Sequence, residues 1–133
     1  MEQTLSIIKP DAVERHLEDE IKQMFLEKGF KIIKEKKIQI EKSEAERFYK
    51  VHETKPFYDD LCTYLSSGPI VVMVLEKENA VLENRELMGA TNPKDAAAGT
   101  IRKKYGISID KNSVHGSDSI ENAKIEIDFF FKD

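Results

Sequence analysis

The chain has 133 residues, 40% hydrophobic and 35% charged, with a formal net charge of −4. That length suits one domain, residues 1–133, with a sizeable core, and the acidic balance argues against a general nucleic-acid binder, whose footprint is basic. No run of 18 apolar residues, no basic and apolar leader in "MEQTLSIIKPD" and a single cysteine, Cys62, mean that no membrane span, signal peptide or internal disulfide is expected, and the cytoplasm is the default location.

"QTLSIIK" (3–9) is apolar and β-branched up to Pro10 and reads as a buried strand. From Asp11 to Lys28 the spacing is helical, with Leu17, Ile21, Met24 and Phe25 on one face and Gly29 as the stop. "FKIIKEKKIQI" (30–40) is a second, less buried strand with lysines on its wet side. Ser43 opens the next helix with Glu46 three residues later as a capping box. Pro56 separates it from a helix over 57–66, which ends before Ser67-Gly68-Pro69. "IVVMVLE" (70–76) is the most apolar strand and should be central. A short helix over 78–87, the irregular "GATNPKDAAAG" and a helical piece near 100–104 lead to a loop at 105–112. "NSVHGSDS" then sets His115 on a short extended segment, before a last helix capped by Asp118 with Glu121 at N3. Ile120, Ala123, Ile127 and Phe130 recur at helical spacing and should face the core. Four strands interspersed with helices predict a layered α/β domain.

Several common designs are absent. There is no GxxxxGK[ST] loop, no GxGxxG after a strand and no GxSxG elbow. His16, His52, His115 and Cys62 fall into no metal-ligand spacing. Phosphate chemistry would therefore need a few local cations. Lys9 ends a buried strand and shares the parity of Leu5 and Ile7; alone, it is a strand-end lysine reaching water. Arg85, Thr91 and Arg102 surround the irregular stretch, and singly each is an ordinary surface residue. Together with Lys9 and a histidine on a short strand, they look like partners for an anion. Cys62 is read as a small buried hydrophobe.

"SIIKPDAV", "KPFYDDL", "SGPIVVMVLE", "LMGATNPKDAAAGTIR", "NSVHGSDS" and "IEIDFFF" occur in this order, and in that order they resemble the nucleoside diphosphate kinases from Thr4 to about Phe131. The resemblance implies a ferredoxin-like βαββαβ fold with an antiparallel sheet. It implies ping-pong transfer of a terminal phosphate, mainly from ATP, to nucleoside diphosphates. His115 resembles the nucleophile that becomes a phosphohistidine, Glu126 its orienting carboxylate, and Ser117 a second supporting contact. Lys9, Tyr49, His52, Arg85, Thr91 and Arg102 resemble the phosphate-site set, and Lys9 and Asn112 also the sugar contacts. Phe57 looks like the platform for the base, with Leu61 and Ile109 lining the rest of the cleft. Mg²⁺ would arrive with the nucleotide rather than on a protein cage. The family often carries glycines where "RHLEDEI" places His16 and Asp19; a local effect on the helix start is expected, without effect on chemistry. The chain ends at Asp133, without the longer tail of many relatives, so a homo-oligomer built from dimers is expected as a tetramer or a hexamer.

The chemistry suits these residue types. A neutral imidazole is a nucleophile near pH 7 when its other nitrogen is held by an acceptor. Cations and donors around the transferred phosphoryl group lower the barrier, since negative charge is dispersed over its oxygens. Stacking tolerates any base. Glu126 lies eight residues beyond Asp118, ~12 Å along a helix, so the last helix must run back past the His115 strand for the pair to meet. A nucleotide sensor without turnover is the alternative; it has no need of a His115–Glu126 pair. A purely structural reading leaves Lys9, Arg85 and Arg102 unexplained.

Overall fold

In the computed structural model of the chain, which describes residues 1–131, the N-terminal apolar run forms β1 (Glu2–Ile8). The other strands are β2 (Lys31–Ile38), β3 (Ile70–Lys77) and β4 (Val114–Gly116). They form one antiparallel sheet in the order β2-β3-β1-β4. β3 is interior, as its composition predicts. Its alternation serves two faces: Ile70 and Val72 pack into one apolar cluster, and Val71, Met73 and Leu75 into the other. A strand buried on both faces reads as a continuous hydrophobic run. β1 divides likewise, with Leu5 and Ile7 on one side and Ile8 on the other. Each fully buried aliphatic or aromatic side chain of this kind contributes roughly 1.5–3 kcal/mol.

The helical stretch expected from Asp11 to Lys28 is two helices, α1 (Pro10–Glu14) and α2 (Glu18–Glu27). The break is a Schellman motif. His16 N donates to Val13 O and Leu17 N to Ala12 O, both at 3.0 Å, with His16 left-handed at φ +60. Glycine is the usual residue at such a position, and a histidine in its place hides the stop from a reading by composition. Gly29, at φ +87, ends α2 as expected.

Between β2 and β3 the chain makes a helical hairpin, α3 (Lys42–Phe48) and α4 (Tyr58–Leu65), with a 3₁₀ turn at Lys50–His52. The capping box of α3 is Glu41 with Glu44, not Ser43 with Glu46. The extended residue before the helix is Glu41, and Glu44 Oε1 accepts from its backbone N. After β3 come α5 (Ala80–Met88), a 3₁₀ turn at Pro93–Asp95 and α6 (Ile101–Tyr105). The last helix, α7, spans Ile120–Phe131. Its cap is Ser119 rather than Asp118: Ser119 Oγ accepts from Asn122 N at 3.0 Å, while Asp118 accepts from the Asn122 side chain. That shift puts Ile120 before the core-facing stripe, and it is 52% exposed, whereas Ala123 and Phe130 are buried and Ile127 packs against the core.

Helices α1, α2, α5 and α6 cover one face of the sheet, and α3, α4 and α7 the other. α7 leaves β4 at one edge and ends at the opposite one, where Lys36 of β2 donates to Phe130 O and lies over the Phe131 ring. The chain end at Asp133, which left tetramer and hexamer open, lies outside the described residues.

Candidate active site

His115 is the middle residue of β4, a three-residue edge strand, and pairs with Ile7 of β1. Its side chain shares the face of Leu5 and Ile7, below α3 and α7. Because α7 crosses that face, Glu126 returns over the histidine, and His115 Nε2 lies 2.9 Å from Glu126 Oε1. An ionised carboxylate only accepts, so Nε2 carries the hydrogen and Nδ1 the free lone pair. Ser117 Oγ donates to the same Oε1 at 2.9 Å and accepts from Leu5 N. Backbone of β1 thus fixes the serine, the serine orients the carboxylate, and the carboxylate orients the ring.

The opposite side of β4 is packed just as closely. A Cβ on Gly116 would lie 2.4 Å from Asn84 Nδ2 and 2.7 Å from Met88 Cε, both on α5. Absence of a side chain there lets the short strand lie flat between α5 and the face that carries His115. On the histidine's own side, Phe48 meets its ring edge-on with centroids 5.4 Å apart. Composition gave no reason to single out Phe48; its position beside Tyr49 was the only signal.

A ladder of rings leads away from His115. Tyr49 is 6.4 Å from it, His52 is 6.2 Å from Tyr49, and Phe57 is 5.9 Å from His52, between centroids. Tyr49 is buried, and burial with the nearby Glu126 charge pushes its phenol pKa up. Phe57 ends the ladder 47% exposed, and Ile109 on the 106–113 loop is 55% exposed. Both offer apolar surface to a planar group. Leu61 is half-buried against the core beneath α4.

Three cations gather on the other side of the histidine. Lys9, at the N-cap of α1, is 6% exposed and donates to Asn112 Oδ1 at 3.0 Å. Asn112 in turn donates to Thr91 O at 3.1 Å. Arg102, on α6, is 8% exposed and donates to Gly89 O and to Val114 O, the latter on the free edge of β4; its Nε has no partner. Arg85 and Thr91 are exposed beside them. Among the described residues no carboxylate forms a salt bridge with Lys9, Arg85 or Arg102. Burial, then the Arg102 charge, lowers the Lys9 ammonium to about 8. Burial, then Arg85, lowers Arg102 to about 10. Arg85 thus acts on Arg102 and Arg102 on Lys9, offset only in part at Lys9 by the Asp11 and Asp110 charges, and a cluster of this kind suits an anion.

The segment delivering Asn112 and His115 is strained. Ser113 is left-handed at φ +73, and Val114 N donates across it to Asn112 O at 2.9 Å, closing a γ-turn. For a residue with a side chain this conformation costs roughly 1–2 kcal/mol. Lys9 N donates to Ser113 O at 2.8 Å, so the turn is pinned to the end of β1. Asp11, Arg15 and Tyr64 surround it, and none of the three was singled out from the sequence. Cys62 is fully buried, as expected of a small hydrophobe.

The arrangement is matched by known proteins along its whole length. The family model described as "Nucleoside diphosphate kinase" matches residues 2–133. A nucleoside diphosphate kinase of Campylobacter jejuni is 61% identical over 132 residues, covering 99% of this chain and 96% of that protein. One of Wolinella succinogenes is 59% identical over 131 residues, covering 98% and 96%. Among solved structures, the Aquifex aeolicus nucleoside diphosphate kinase is similar at a TM-score of 0.97 and 40% identity, over 98% of this chain and 95% of that one. The Encephalitozoon cuniculi enzyme has a TM-score of 0.96 at 40% identity, covering 100% and 90%.

The lowered Lys9 pKa predicts how nucleotide affinity depends on pH. Only the charged ammonium attracts phosphate, so the attraction is complete below about 8 and is lost as pH rises through that value. At pH 9.5 the affinity for ADP, measured by calorimetry, is expected to fall by up to ~30-fold, the cost of returning a proton to Lys9. Lys9→Arg keeps its charge and should show no such fall. An affinity flat up to pH 9.5 in the unmodified chain would remove Lys9 from the phosphate site.

Proposed function

The chain belongs to the nucleoside diphosphate kinase family, and from that premise we propose that His115 carries the phosphoryl group between nucleotides. Members of the family are phosphotransferases of nucleotide metabolism that work through a phosphohistidine. The observation that carries the assignment of His115 is its contact with Glu126: Nε2 is tied at 2.9 Å, and Nδ1 is the nitrogen left to react. The Nδ1 lone pair attacks the terminal phosphorus of a nucleoside triphosphate, mainly ATP. An N–P bond forms, the bridging P–O bond breaks, and the nucleoside diphosphate leaves with that electron pair. The imidazolium that results is stabilised by Glu126 through Nε2–H. A second diphosphate then attacks the phosphohistidine through a terminal oxygen and regenerates neutral His115.

Lys9, Arg85 and Arg102 neutralise the phosphate oxygens, assisted by Thr91, His52 and the Tyr49 hydroxyl. Lys9 and Asn112 reach the sugar. Phe57 stacks on the base, with Leu61 and Ile109 beside it. Nothing in this set reads a base edge, which fits an enzyme that equalises nucleotide pools. Mg²⁺ would be held by the nucleotide's own phosphates. The cleft offers those phosphates cations, and among the described residues no three His, Cys, Asp or Glu side chains gather to hold a metal. When bound, it would supply positive charge to neutralise what develops on the transferred phosphate.

Residues 1–133 act as one domain in this reading, supported by apolar clusters on both faces of a single sheet. It works in the cytoplasm; among the described residues no helix is long and apolar enough to cross a membrane. No nucleic-acid partner is assigned. Assembly proceeds from dimers to a tetramer or hexamer. β2 supports this as an edge strand with a bulge between Ile32 and Lys34, where Ile33 is 43% exposed; Leu26 of α2 is likewise 50% exposed.

Incubated with ATP and Mg²⁺, the protein should acquire a phosphate that is stable in base and lost in acid. His115→Asn should abolish it while nucleotide still binds. Glu126→Gln should slow its formation by roughly 10- to 150-fold, since a hydrogen bond to a charged group contributes ~1.5–3 kcal/mol. Normal phosphorylation of His115→Asn would refute the mechanism. Assembly is checked separately by light scattering: a dimer multiple is expected at micromolar concentration, and a monomer mass would refute it.

A further inference from the structure

Resting on that reading of His115, we propose that Asp11 is a positioning residue for phosphoryl transfer, because its carboxylate holds Ser113 in the left-handed turn that aims the histidine. Asp11 is 5% exposed at the start of α1, and its carboxylate is the hub of a network built from distant segments. Ser113 Oγ donates to Oδ2 at 3.0 Å, across 102 residues of sequence. Arg15 Nη2 donates to the same oxygen at 3.1 Å and also reaches Tyr105 O and Ser113 Oγ. The Tyr64 hydroxyl donates to Oδ1, while Asp11 N donates back to that hydroxyl at 2.8 Å. Burial, then this hydrogen bond to Asp11, raises the Tyr64 pKa.

The network converges on Ser113, and the consequence lies on either side of that residue. Asn112, just before it, accepts from Lys9 Nζ. His115, two residues after it, must enter β4 in register with Ile7. Relaxation of Ser113 to an ordinary conformation would rotate the peptide joining these two positions. A side chain in the left-handed region persists only when its surroundings over-determine it. Here Lys9 N, Arg15 Nη2 and the Asp11 carboxylate do so. Asp11 makes no hydrogen bond to His115 or to the three cations, although its charge favours the protonated Lys9; its hydrogen-bonded link to the site runs through the turn.

Glycine adopts φ +73 without penalty, which makes the proposal testable by rescue. The rate of phosphoenzyme formation from ATP in a single turnover is compared with ADP affinity and thermal stability. Asp11→Ala is expected to slow phosphorylation by ~10- to 100-fold, the range for losing charge-assisted hydrogen bonds, with a much smaller change in ADP affinity. Adding Ser113→Gly to that variant should restore the rate to within about threefold, although the Tyr64 and Arg15 contacts stay lost and stability stays low. If Asp11→Ala does not fold, Asp11→Asn is read in the same way. A rate within about twofold of normal in the folded variant would overturn the proposal. So would a loss that Ser113→Gly fails to rescue, which would leave Asp11 a purely structural residue. An unmodified chain that forms no acid-labile phosphoenzyme would overturn the reading of His115 as well. A normal phosphoenzyme with an unaffected Asp11 variant would overturn this inference alone.

Discussion

An imidazole that attacks through one nitrogen can be held only by the other. The 2.9 Å contact between His115 Nε2 and Glu126 meets that condition, and much of the architecture exists to bring the two together. Eleven residues separate them in sequence, on elements of different type. The strand must be short, so that the chain can turn at once into α7. That helix must cross the sheet, so that its second turn passes back over the strand. Anchoring at both ends makes the crossing definite: Ser119 caps the start, and Lys36 meets the Phe130 carbonyl. A flat approach on the far side of β4 requires Gly116 against Asn84 and Met88.

Electrostatics complete what geometry begins. Burial with a neighbouring positive charge lowers both Lys9 and Arg102, and no carboxylate among the described residues forms a salt bridge with Lys9, Arg85 or Arg102. Under the proposed function a polyphosphate would relieve the repulsion within such a cluster. Arg102 is itself placed by accepting groups of the scaffold, including the free-edge carbonyl of Val114 one residue before the nucleophile. Arg102 and His115 are therefore held by adjoining backbone.

Much of this was legible in the sequence, for identifiable reasons. β1 and β3 are apolar because both faces are covered, and that leaves a clear trace. The candidate site residues were suggested by the order of short blocks; the structure brings His115, Glu126, Ser117 and Tyr49 together, and Lys9 onto Asn112. What composition hid was backbone conformation. His16 ends α1 in a left-handed position normally marked by glycine, so two helices read as one. Glu41 and Ser119 cap helices one or two residues from the expected caps, because several adjacent residues could each have served. Asp11 and Ser113 escaped notice for a different reason: their link spans 102 residues, and no local spacing encodes it.

The central claim is that Glu126 chooses the reacting nitrogen. It is tested most directly by finding which nitrogen of His115 carries the phosphate, using ³¹P–¹⁵N NMR of the phosphoenzyme formed from ATP with ring-labelled histidine. Phosphorus coupled to Nδ1, with Nε2 still protonated, is the predicted result. Phosphate on Nε2 would mean that the Glu126 contact breaks before transfer, and would contradict the account.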